Sequence, residues 1–137
     1  VTALEQGGAG NSGPALGDNA HLFARPGRRE ELRQCFETAL GCPVRTVAHP
    51  GMPEPMLLVA FPAGGHLSIE FRDDAPDDDH PRLGAWLELR VTDPAAVLES
   101  VLRAGMTRVE HPGHEHYFMA PGGQVFALMA APSAATG

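Results

Sequence analysis

Little in this sequence points to a disulfide framework, a membrane span or a polyanionic partner. Cysteine is scarce, with Cys35 and Cys42 the only two among 137 residues. Their spacing is not CxxC, and one pair makes no disulfide scaffold. Cys35 falls in a helical pattern and Cys42 just beyond its end, so both read as buried or half-buried free thiols. No apolar run approaches the roughly 20 residues of a membrane-spanning helix. Positive charge is in deficit, 10 Lys and Arg against 17 Asp and Glu for a net charge of −7. That balance disfavours nucleic acid and anionic membrane as partners. The N-terminus lacks the charged-then-apolar order of a signal peptide, which leads us to expect a cytoplasmic chain.

What is present is the makeup of an ordinary globular protein, 43% hydrophobic and 20% charged, long enough for one domain or for two small units sharing a core. Residues 1–18 are rich in Gly, Ala and Ser and read as a tail. His21 to Arg25 is a short strand ended by Pro26-Gly27. From Arg28 to Leu40 the apolar residues Leu32, Cys35, Phe36, Ala39 and Leu40 fall on one helical stripe, stopped by Gly41 and Pro43. Strands follow at Val44–His49, Met56–Phe61 and His66–Phe71. In the last of these His66, Ser68 and Glu70 share one face, opposite Leu67, Ile69 and Phe71.

The acidic run over residues 73–81, with two prolines and no calcium-loop glycine, reads as a solvated linker rather than a cation site. Beyond it the order repeats. Trp86–Val91 is a strand, Asp93-Pro94 caps a helix closed by Gly105, and three strands follow at Thr107–His111, His116–Pro121 and Gln124–Met129. His21-Leu22-x-x-Arg25 matches Trp86-Leu87-x-x-Arg90, Leu40-Gly41 matches Ala104-Gly105, and Ile69-Glu70-Phe71 matches Phe126-Ala127-Leu128. The reading is an α+β fold of two βαβββ modules, residues 19–72 and 84–131, joined by a linker at 73–83 and followed by a short tail at 132–137. One face of each sheet is covered by its helix; the other must meet a partner sheet.

The pattern resembles the glyoxalase/bleomycin resistance protein/extradiol dioxygenase (vicinal oxygen chelate) superfamily. The resemblance is carried by His21-Leu22-Phe23 before the first helix, by Glu70 in IEF, and by LRVTDPAAVLESVLRAG with YFMAPGGQVFALM, and it spans about residues 19–130. It implies a helix on the outer face of each module and a cup-shaped mixed sheet. By the same analogy the modules pair within one chain or across a homodimer. In metal-using members the ligands come from the first and last strands of each module. His21 and Glu70 occupy two of those positions, but Trp86 and Ala127 occupy the others and cannot coordinate. Two protein donors are too few to hold an ion against water, so no cofactor is favoured. If a divalent metal binds, His21 and Glu70 are its ligands, with Glu88 the nearest rescue. The series His111, His114, His116 reads as a polar turn at Pro112-Gly113 more readily than as an ion site.

On this reading the cup is lined in the first module by His21, Phe23, Arg25, Ser68 and Glu70. In the second it is lined by Trp86, Glu88, Arg90, Val125 and Ala127. Arg25 and Arg90 could meet an anion and Glu70 and Glu88 a cation; equally, the four could pair with one another. Trp86, the single tryptophan, reads as core packing or as a stacking surface. The expected function is metal-independent binding of a small, partly aromatic molecule. The alternative is a divalent-metal-dependent lyase/isomerase or dioxygenase of the glyoxalase type, in which Glu70 is the catalytic carboxylate that moves a proton. A third reading is an accessory domain with a vestigial cup.

Overall fold

The computed structural model describes residues 13–14, 16–77, 81 and 84–130. The parts of the tails at 1–12 and 132–137, and the linker residues 78–80 and 82–83, lie outside them. Among the described residues, eight strands form two four-stranded sheets. β1 (Asn19–Ala24), β2 (Val44–Val47), β3 (Met56–Ala60) and β4 (His66–Phe71) run in the order β1-β4-β3-β2. β5 (Trp86–Val91), β6 (Thr107–His111), β7 (His114–Met119) and β8 (Val125–Ala130) repeat it as β5-β8-β7-β6. In each sheet the first strand lies parallel to the last and the other pairings are antiparallel.

Each sheet is crossed by one helix. The second, α2 (Pro94–Arg103), follows its sequence signals: the Asp93 carboxylate accepts a hydrogen bond from the Ala96 amide at 3.2 Å, and Pro94 fills the first turn. Gly105 leaves the helix at φ 105°, a conformation that costs glycine nothing. The first helix departs from a uniform α-helix. A 3-10 turn at Pro26–Arg28 leads into α1 (Arg29–Arg33), and Gln34–Ala39 continues as wider π turns. Those turns end with the Leu40 amide bonded to the Cys35 carbonyl at 3.0 Å and the Cys42 amide to the Phe36 carbonyl at 2.8 Å. Apolar spacings of three and four residues suit either winding, so the stripe is read correctly and the winding is not.

The helix-covered faces of the two sheets share one core. Leu32, Cys35 and Phe36 from the first helix join Leu57, Val59, Leu67 and Ile69 from β3 and β4. The same cluster takes in Leu98 and Val101 of α2, and Phe118, Phe126 and Leu128 of the second sheet. Phe36 is the hinge pin of this arrangement, with its ring edge-on to Phe61 at 6.3 Å and to Phe126 at 5.7 Å. The Ser100 hydroxyl also donates to the Ala39 carbonyl at 3.2 Å, tying helix to helix. A smaller cluster of Val109, Tyr117, Val125 and Ala127 lies on the opposite face of the second sheet.

Both cysteines are free and buried. Burial, with a lesser push from Cys42, raises the Cys35 thiol to about 12, and burial raises Cys42 as well. A thiol with a raised pKa keeps its proton in the folded chain after the unfolded chain has lost its own. That contribution to stability is complete below the ordinary thiol value of 9.0 and is lost as pH climbs toward 12. The expected slope is at most about 1.4 kcal/mol per pH unit across that window. Urea unfolding at several pH values above neutrality measures it, and Cys35→Ala removes the share due to Cys35. An unchanged alkaline slope in that variant would refute the assignment.

Within the acidic stretch, the described residues 73–77 make specific contacts. Ala75 is buried and its carbonyl accepts from Arg25 Nε, while Arg72 holds the Asp74 carboxylate with two bonds of 2.8 and 3.0 Å. Arg28 reaches Asp77 at 2.7 Å. Arginines cancel the like-charge repulsion that would otherwise extend this run, at least through Asp77.

Candidate ligand-binding site

Alternation along each strand sorts the candidate residues onto the sheet faces opposite the helices. In the first module the parallel register sets His21 beside Ser68 and Phe23 beside Glu70. In the second it sets Trp86 beside Val125 and Glu88 beside Ala127. The two registers superimpose His21 on Trp86 and Glu70 on Ala127, the equivalence expected from the internal repeat.

His21 and Glu70 come together, with Nε2 2.9 Å from a carboxylate oxygen of Glu70. The other Glu70 oxygen lies 3.8 Å from Arg72, so this carboxylate is already served from two sides. Phe23 packs its ring edge-on to His21 at 5.0 Å, and the Arg72 guanidinium lies 5.9 Å from the Phe23 ring centre. Arg72 is itself stabilised in its charged form, first by Asp74, and in return holds the Asp74 carboxyl below its usual value. Ser68 is buried and donates to the Asn19 side chain at 3.4 Å.

Arg25 does not pair with a glutamate across the sheet; its Nε is spent on the Ala75 carbonyl. In the second module Trp86 is 40% exposed and stands edge-on to Tyr117, ring centres 5.3 Å apart. Glu88 and Arg90 follow on the same face, both exposed. Val125 and Ala127 occupy the expected face but are sealed at 1% and 0% exposure, so a ligand above them meets Trp86 before it meets them. Tyr117, Met129 and Arg72 were not among the candidate residues. Alternation in β7, with Tyr117 opposite Ala127, was the signal for the first. β7 begins at His114, two residues before the expected His116, with His114 paired in register to His111 across the Pro112-Gly113 turn.

A divalent ion of the kind used on this fold would have His21 and Glu70 to bind. Among the described residues no group of three or more His, Cys, Asp or Glu side chains is placed to hold a metal. Two converging donors, His21 and Glu70, are too few to fit a resident metal. The small cleft where α1 meets the turn after α2, about 90 Å³ and lined by Glu31, Gln34, Cys35, Gly105 and Met106, lies apart from these faces. It is well below the roughly 300 Å³ at which small-molecule sites begin.

Paired βαβββ modules of this order define the fold of the glyoxalase/bleomycin resistance protein/dioxygenase superfamily. Among solved structures the chain is similar to a member of that superfamily from Sphaerobacter thermophilus, with a TM-score of 0.63 and 16% identity over 86% of this chain and 98% of that one. It is similar to TnmS3, an antibiotic binding protein from Streptomyces sp. CB03234, with a TM-score of 0.56 and 18% identity over 88% and 100% of the two chains. It is also similar to the trypanothione-dependent glyoxalase I of Leishmania major, with a TM-score of 0.65 and 11% identity over 85% and 87%. No protein-family model and no curated protein sequence matches the chain. At these identities the likeness speaks to the fold, on which one scaffold hosts many functions.

Proposed function

We propose that this protein binds a small, partly aromatic molecule without a metal, in a cup completed by a second copy of the chain. The observation that carries the reading is Trp86. A 40% exposed indole backed by Tyr117 stands where the fold's metal users place a donor, and the methyl of Ala127 stands at another such position. Aromatic walls bind by stacking and apolar contact, with a few polar groups setting orientation. TnmS3, on the same fold, is an antibiotic binding protein, which supports a binding role.

The exposed apolar surface supports the second copy. Phe23, Trp86 and Met129 are exposed by 40% or more, and all three lie on the sheet faces that the helices leave open. The helix-covered faces are already spent on the shared core within one chain. Sedimentation velocity should therefore give a dimer, and a monomer at tens of micromolar would remove the second copy from the proposal. Free thiols at Cys35 and Cys42 suit a reducing compartment, consistent with the cytoplasm. No helix among the described residues is long and apolar enough to cross a membrane.

Elemental analysis of protein purified without a histidine tag tests the metal-free reading. Substoichiometric zinc, nickel, iron and manganese are expected, with the melting temperature unmoved by added divalent ions. A stoichiometric ion lost in His21→Ala would favour the glyoxalase-type lyase, isomerase or dioxygenase instead. The closeness of His21 and Glu70 is the observation on that side. If no member of a broad metabolite panel raises the melting temperature, the cup is vestigial.

A further inference from the structure

Four charged side chains were candidates to orient a ligand, and the structure separates them. Glu70 is hydrogen-bonded to His21 and flanked by Arg72, and Arg25 is held through its Nε by the Ala75 carbonyl. Glu88 and Arg90 remain: both are exposed, and neither has an ion-pair or hydrogen-bond partner among the described residues. They are not scattered. Trp86, Glu88 and Arg90 are alternate residues of β5, an edge strand, and point to the same open face. At about 3.3 Å per residue their Cα atoms are spaced by about 6.6 Å. The strand thus presents an indole, then a carboxylate, then a guanidinium in a straight series, bordered by the exposed Met129 beside Arg90.

We propose, resting on the binding reading above, that the ligand is an aromatic zwitterion: a planar ring with a protonated amine and an acid group close together on a short side chain. The ring lies against Trp86, the amine meets Glu88, and the acid group meets Arg90, whose planar fork suits a carboxylate. Aromatic amino acids carry this set of groups, the amine and the carboxylate sharing one carbon, and the long side chains of Glu88 and Arg90 can converge on both. A purely cationic or purely anionic aromatic would leave one of the two strand charges facing its like or desolvated without a partner, which costs affinity.

Four matched probes test this through quenching of the Trp86 fluorescence: 4-nitrophenylalanine, 4-nitrophenethylamine, 3-(4-nitrophenyl)propionate and the uncharged 4-nitroethylbenzene. The zwitterion should bind tightest, by about tenfold over each singly charged probe, a difference of about 1.4 kcal/mol. Glu88→Gln should erase its advantage over the acid, and Arg90→Gln its advantage over the amine. Both positions are exposed, so the variants are expected to melt with the parent chain. Saturable quenching by the uncharged probe with no gain for the zwitterion would overturn the ligand class and leave aromatic binding standing. Saturable quenching by none of the four would overturn both.

Discussion

Replacing Phe36 by alanine is expected to destabilise the whole chain by about 3–5 kcal/mol, the range for truncating a fully buried phenylalanine. The side chain is wholly buried and touches both halves of the protein, Phe61 of the first module and Phe126 of the second. Phe126 in turn stacks on Phe118 at 5.5 Å, so a void at Phe36 opens on a line of three rings across the seam. A loss of this size is a large share of the 5–15 kcal/mol that holds a typical domain folded. Because the core is shared, urea unfolding of the parent should be a single transition by tryptophan fluorescence and by far-ultraviolet circular dichroism. Fluorescence reports the second module alone, since Trp86 is the only tryptophan. Two transitions in the parent, or a Phe36→Ala variant that loses only the first module, would mean that each sheet and helix stands by itself.

Trp86→Ala carries the largest effect on binding. An aromatic side chain that forms the wall of a small-molecule site is a typical hot spot, and its truncation costs about 2 kcal/mol or more, a thirtyfold loss of affinity. The same change should cost the fold less than Phe36→Ala does, since the indole is 40% exposed whereas Phe36 is wholly buried. Trp86→Phe keeps a ring and should retain most of the affinity. Calorimetric titration with the tightest ligand found by thermal shift separates the two variants. Equal affinity in the parent and in Trp86→Ala would place the ligand elsewhere and leave Trp86 as packing for Val125 and Ala127.

Much of the architecture could be read from the chain because local chemistry and periodicity agree. Asp93-Pro94 announces the start of α2, Gly105 its end, and strict alternation in His66–Phe71 separates the core face of β4 from the open one. The candidate residues were harder. The parallel register that joins the ends of the first module puts His21 and Glu70 within 2.9 Å, although 49 residues separate them. Arg25 resembled Arg90 in every local respect, yet only Arg25 finds a backbone carbonyl, supplied by a loop that reads as solvated. Tyr117 joins the site through the register that sets it opposite Ala127, a cross-strand pairing that no local pattern announces.

The amino-acid order by itself determined the two modules, their helices and strands, and the absence of coordinating atoms at Trp86 and Ala127. These follow from side-chain periodicity, turn residues and chemical identity, all of which act within a few residues. Only the tertiary structure decided that the helices meet in one core around Phe36, and that Glu70 and the Nε of Arg25 find partners while Glu88 and Arg90 have none among the described residues. Those outcomes depend on which distant backbone arrives within about 3 Å of a side chain, the range over which hydrogen bonds act.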